Sequence, residues 1–290
     1  MQTRPGMIYS NRTDWLEASD KRVLLFGMSG LGKTWAANLL RDEGWFHYSV
    51  DYRIGTRYMG ENIADNFKRE AMKNPFLAEL LLSDSVYIAS NITFDNLAPL
   101  STYLGKPGDP AKGGLPFDDY MRRQEQHRRA EMAALLDTIP FIERARAIYG
   151  IEQFLCDSGG SICEVVDPDD PQDPILSALS AHHLMVWIEG SEAHTEALVE
   201  RFARAPKPMY YQPEFLIRKW EEYRDLKGQS EAEVDPDAFV RWTYAQALAH
   251  RQPRYKAMAR NWGISIRAED LYLVRDAKGF TSLIAEALPA

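Results

Sequence analysis

The chain has 290 residues, 45% hydrophobic and 26% charged, which suits one large α/β domain or two smaller ones. Its 34 Lys and Arg against 42 Asp and Glu leave a net charge of −8. That argues against a nucleic-acid-coating role while leaving a local basic patch open. Only two cysteines occur, Cys156 and Cys163 around a Gly-Gly pair, neither a disulfide framework nor a zinc spacing, so a reducing cytoplasmic setting is expected.

Residues 1–20 form a polar lead-in with a short helix expected around Trp15. They contain no apolar leader core, and no run in the chain approaches the roughly 18 apolar residues that span a membrane. Arg22-Val23-Leu24-Leu25-Phe26 is an apolar run of the kind a buried parallel strand shows. The next eight residues, Gly27-Met28-Ser29-Gly30-Leu31-Gly32-Lys33-Thr34, match the phosphate-binding pattern G-x-x-x-x-G-K-[ST] without a mismatch. Trp35 opens a stretch rich in helix formers that Gly44 would stop.

Strand, glycine loop and helix in that order supply a mechanism. Glycines let successive N–H groups turn inward to phosphate oxygens, and the helix N-terminus adds its partial positive charge. Lys33 would reach the β- and γ-phosphates and the Thr34 hydroxyl would ligate Mg²⁺. A nucleoside triphosphate is therefore expected on residues 27–35. No guanine-selecting N-K-x-D segment is present, so ATP is the default.

Trp45-Phe46-His47-Tyr48-Ser49-Val50-Asp51 is a second apolar run, ending in a carboxylate. Ligands of open parallel sheets bind beyond the carboxyl ends of the strands, where Asp51 could touch Mg²⁺ or a substrate hydroxyl; a helix cap is the alternative. Residues 58–83 read as helical, with Ile63, Phe67, Met72 and Phe76 near helical spacing. Residues 91–114 are crowded with Gly and Pro and read as a long functional loop. Residues 116–149 are mostly helical. Their centre, residues 121–131, is charged almost all round, a solvated face before it is an anion site.

Phe154-Leu155-Cys156-Asp157 reads as a third strand, placing Asp157 as a second ligand for Mg²⁺. Gly159 and Gly160 follow at once, either as a close approach to a ligand or as an ordinary tight turn. A fourth strand is expected over residues 183–188, and the next helix carries Arg201 and Arg204 near its end. Those arginines could fold over a triphosphate or simply complement the helix dipole. Residues 235–260 are helical but broken by Arg251-Gln252-Pro253-Arg254-Tyr255, followed by a short strand at 263–266 and a closing helix at 280–288. Five strands alternating with helices give a three-layer α/β fold with a parallel sheet.

This order of pieces resembles the shikimate kinase and gluconate kinase group of small-molecule P-loop kinases, within the nucleoside-monophosphate-kinase-like fold. The likeness rests on residues 27–34, Asp51-Tyr52-Arg53-Ile54, Gly159-Gly160 and Arg251-Gln252-Pro253-Arg254-Tyr255, and covers roughly residues 20–60 and 152–288. It implies that Asp51 contacts the acceptor hydroxyl, that Gly159 and Gly160 hold the acceptor, and that Arg201 and Arg204 hold phosphates within a lid over 201–226. Arg53, Arg57, Asn91 and Asp95 are further candidate acceptor contacts. The chain departs from the group in having Ser49 with Asp51, Ser158 before the two glycines, and an insert at 56–150 too long for a shikimate-sized acceptor. Val50-Asp51-Tyr52-Arg53-Ile54-Gly55-Thr56 also resembles the D-I-G-T segment of tRNA isopentenyltransferases.

Two functions follow as expectations. One is a kinase that moves the γ-phosphate of ATP, with Mg²⁺, to a hydroxyl of a small-molecule acceptor. The other is an ATPase or nucleotide switch whose insert binds a protein or RNA partner. Group transfer onto RNA is a third option, which the charge of −8 disfavours.

Overall fold

The computed structural model describes residues 7–290; the first six residues of the polar lead-in lie outside the described residues. Asn11 caps the first helix, Arg12–Glu17 (α1), whose Trp15 is fully buried. Arg22–Phe26 forms β1 and Lys33–Asp42 forms α2, with the phosphate loop between them. Phe46–Ser49 is β2.

The strand ends there, and Asp51 does not close it. Val50–Arg53 has already turned into a helix (α3), continued by a π-helical turn at Ile54–Tyr58 in which Met59 N bonds Ile54 O at 2.8 Å. Two helices follow, Gly60–Ala71 (α4) and Pro75–Leu82 (α5). The helical stretch expected over 58–83 is thus made of two helices, because Asn74 caps a new start with Pro75 at its first position. Nor is 91–114 a structureless loop, since Ala98–Leu104 is helical (α6). Phe117–Leu136 (α7) and Thr138–Tyr149 (α8) lead to β3, Phe154–Asp157.

Beyond β3 come Ile162–Val165 (α9), Pro174–Ser180 (α10), β4 at Leu184–Glu189 and Glu192–Arg204 (α11). Pro213–Lys227 (α12) and the long Pro236–Trp262 (α13) precede β5, Gly263–Arg267. Ala268–Leu273 (α14) and Ala277–Ala287 (α15) close the chain. The break expected at residues 251–255 is absent: α13 runs straight through Pro253. A mid-helix proline costs about 3 kcal/mol, and here its neighbours Arg251, Arg254 and Tyr255 are all tied to the segment around α9.

The sheet has five parallel strands in the order β2-β3-β1-β4-β5 and is flanked by helices. Val23, Leu24, Leu25 and Phe26 of the central strand are completely buried, as a strand covered on both faces requires. Contacts divide the chain into two units. The first comprises residues 1–50, 135–205 and 241–290 and holds the whole sheet.

The second unit comprises residues 51–134 and 206–240. Its organising element is the part of α7 that falls within it, whose charge-rich sequence conceals a buried polar stripe: Tyr120, Gln124, His127 and Glu131. Their spacing of four, three and four puts them on one helix face. Tyr120 Oη and Gln124 Nε2 both donate to Met209 O at 3.0 Å, Gln124 Oε1 accepts from Tyr211 N at 2.9 Å, and His127 stacks on Tyr210. The basic groups on the outside are neutralised locally: Glu125 takes Arg128 and Arg129, and Asp119 takes Arg122. In contrast, α5 buries no residue, and Phe76 and Leu82 are 67% and 78% exposed.

Candidate functional site

The phosphate loop leaves the carboxyl end of β1, between β3 and β4. Gly27 has φ 140°, and a Cβ there would meet Ile188 O of β4 at 2.7 Å, so any other residue would push the loop off the sheet. Gly30, at φ 84°, would bring a Cβ within 3.0 Å of Arg201 Nη2. Arg201 of α11 therefore packs its guanidinium on the loop. Arg204 is exposed, with Nε directed at Glu200 O of its own helix, 3.4 Å away.

Lys33 is almost wholly buried and donates to Gly27 O at 2.9 Å and Met28 O at 2.8 Å, its ammonium lying inside the curl of the loop. Thr34 Oγ1 donates to Asp157 Oδ2 at 2.8 Å. Two residues singled out separately from the sequence thus meet, 123 positions apart. Burial raises the Asp157 carboxyl above its ordinary range, opposed by the charge of Lys33 and the Thr34 hydrogen bond. A hydroxyl and a carboxylate oxygen in contact are the hard donors Mg²⁺ prefers, and the glycine-lined loop with a lysine inside suits a polyphosphate. The residues fit both groups.

The loop after β3 is held against the phosphate loop. Ser158 donates to Leu25 O of β1 through N at 3.2 Å and Oγ at 2.8 Å. Gly159 is buried, and a Cβ on Gly160 would come within 3.4 Å of Ser29 N. Gly160 O accepts from Arg251 Nη1 at 3.1 Å and from Tyr255 Oη. Arg251 Nε also bonds Glu164 Oε1 at 2.7 Å, and His250 Nε2 lies 3.4 Å from Glu164 Oε2. Arg254 donates to Cys163 O and Val166 O, both at 2.7 Å.

These anchors were not assigned by sequence reasoning, which marked residues 251–255 as a helix break. The signal lay in the spacing: positions 251, 254 and 255 share one helix face. Tyr272 of α14 was also missed; its Oη donates to Gly30 O at 3.1 Å, and no sequence pattern flags a lone tyrosine after the last strand.

In the second unit, Arg53 packs over the Tyr58 ring, its guanidinium carbon 5.8 Å from the centroid, and Arg57 is exposed. Asn91 O accepts from Asn96 Nδ2 at 3.0 Å. Asp95 lines a cavity of about 730 Å³ together with Phe94, Ser101, Lys106, Lys207 and Asp237. Lys106 and Asp237 pair at 2.5 Å. Of the expected acceptor contacts, Asp95 alone is at this cavity; Arg53, Arg57 and Asn91 are not among its lining residues. Asp51 is in the first turn of α3, two residues beyond Ser49, which pairs in register with Asp157.

No family model matches the chain, and no curated protein matches it. Among solved structures, it is similar to a shikimate kinase from Bacteroides thetaiotaomicron, at 14% identity and a TM-score of 0.37, covering 92% of this chain and 96% of that one. Among the described residues, no helix is long and apolar enough to cross a membrane.

Proposed function

We propose that the protein is a phosphotransferase that moves the γ-phosphate of ATP to a hydroxyl of an organic acceptor. The observation that carries this reading is the meeting of Lys33, Thr34 and Asp157 at the mouth of a glycine loop that opens a helix. Backbone N–H groups of residues 27–34 bind the phosphates, Lys33 neutralises the β- and γ-oxygens, and Arg201 and Arg204 hold charge that spreads onto the transferring group. Thr34 and Asp157 hold Mg²⁺, which, when bound, neutralises charge on the phosphate oxygens. Asp51 orients the acceptor hydroxyl and takes its proton as the oxygen–phosphorus bond forms, while the bond from γ-phosphorus to the bridging oxygen breaks and ADP leaves. Gly159, Gly160, Arg53, Arg57, Asn91 and Asp95 are the proposed acceptor contacts, with the segment 56–150 enlarging the acceptor site and 201–226 acting as a lid.

One observation favours a second reading, a nucleotide switch with a protein or RNA partner: α5 is apolar and buries nothing, as a docking helix would be. Incubation with γ-labelled ATP, Mg²⁺ and a metabolite extract separates the two. Label on an organic product supports phosphotransfer; slow release of free phosphate, unaffected by the extract, overturns it in favour of the switch.

A further inference from the structure

Two aromatic side chains remain partly open to solvent beside the phosphate loop, Trp35 and Tyr272, each 38% exposed. Their ring centroids are 6.2 Å apart with planes inclined at 51°. Trp35 follows Thr34 in the first turn of α2, and Tyr272 comes from α14, beyond β5. Both rings belong to the loop's surroundings. Tyr272 bonds Gly30 O through its hydroxyl, and its ring would lie 3.2 Å from a Cβ on Gly32. On its other flank Tyr272 is 6.4 Å from the His194 ring, itself tied at 2.8 Å to the Ser191 hydroxyl at the cap of α11. Tyr272 is thus positioned from two directions, yet its ring is not sealed in the core.

An isolated exposed aromatic needs no explanation. Two that converge on a polyphosphate cradle are different, because a nucleotide anchored by its phosphates must put a flat, weakly hydrated base nearby. Aromatic faces bind such bases by stacking, largely without regard to hydrogen-bonding pattern.

We propose that Trp35 and Tyr272 form the platform on which the base of a purine nucleoside triphosphate stacks. The inference rests on the phosphate-binding reading of residues 27–34 and adds the contact that distinguishes a nucleotide from bare polyphosphate. The Tyr272 hydroxyl fixes the platform to the loop, while stacking itself is done by the rings.

The test is calorimetric titration of the full chain, with Mg²⁺, by ATP, UTP and inorganic tripolyphosphate. In the wild type, ATP binds about tenfold or more tightly than tripolyphosphate, with UTP between them, as base stacking implies. Trp35→Leu and Tyr272→Leu remove most of the ATP advantage and leave tripolyphosphate binding unchanged; Tyr272→Phe retains the advantage. Equal affinities for ATP and tripolyphosphate in the wild type would overturn the platform alone. So would an equal loss of both ligands in the leucine variants, which would signal a distorted loop. Failure of all three ligands to bind the wild type would overturn the phosphate reading, and the platform with it.

Discussion

Arg251→Met is the most informative single perturbation of the phosphate-loop scaffold. Glu164 is fully buried and Arg251 nearly so, and their side chains meet at 2.7 Å. Burial pushes the Glu164 carboxyl up, but Arg251 and His250 outweigh it and hold the carboxyl below its ordinary range. Both partners are therefore charged in the folded protein. Removing one member of such a pair strands the other, at a cost of about 3–5 kcal/mol. At about 2 °C per kcal/mol for a chain of this size, the melting temperature falls by about 6–10 °C. The variant also frees Gly160 O from one of its two donors, which loosens the loop lying on Ser29. Urea unfolding at pH 7 measures the loss, with Arg251→Met/Glu164→Leu as the companion. The double variant recovers most of the stability, because no charge is left unpaired. A single-variant loss under about 1 kcal/mol, the range of exposed pairs, would refute the argument. The acid side has a defined sign: the depressed Glu164 pKa contributes stability that is present above the unfolded value of about 4.3. That contribution is lost as pH falls through the folded value.

Lys33→Ala lowers nucleotide-dependent turnover by at least about 10²-fold and costs about 1–3 kcal/mol through the two unpaired carbonyls; undiminished turnover would refute the site. Asp157→Asn removes the Mg²⁺-dependent rise in melting temperature measured with ATP. Because the folded Asp157 pKa is raised, ionising it costs stability as pH rises through that value, so the ligand-free variant melts no lower than the wild type at pH 7. His183 is fully buried and its imidazole is pushed down to about 3. Below the unfolded value of about 6.5, the unfolded chain gains a proton the folded one refuses, so stability falls by about 1.4 kcal/mol per pH unit towards pH 3. Urea unfolding at pH 5 and pH 7 should show this slope flattened in His183→Asn.

Strands β1 and β3 were legible residue for residue, because a fully buried parallel strand is an unbroken apolar run bounded by polar or glycine positions. The phosphate loop was legible for a different reason: its chemistry demands particular residues at fixed spacing. Asp51 was misplaced because apolar content alone does not say where a strand gives way to a helix, and Val50 suits either. The stripe from Tyr120 to Glu131 was hidden because its members are polar; Tyr120 and Gln124 hydrogen-bond to residues 209–211 and His127 stacks on Tyr210, a long-range pairing that periodicity of apolar residues does not report. The continuity of α13 through Pro253 likewise depends on partners 87 to 95 positions away.

The π-helical turn at Ile54–Tyr58 takes up one residue without changing the phase of what α4 carries. An α-helix advances about 100° per residue, and the wider turn amounts to one extra residue between Asp51 and the helix that follows. Deleting a single position from 54–58 would let the segment close to ordinary geometry while Ile63 stays on its buried side and Asn66 stays beside the Arg123 guanidinium it meets at 3.0 Å. Length is therefore negotiable at this turn in a way it is not within α4, where losing one residue would rotate all that follows by about 100°.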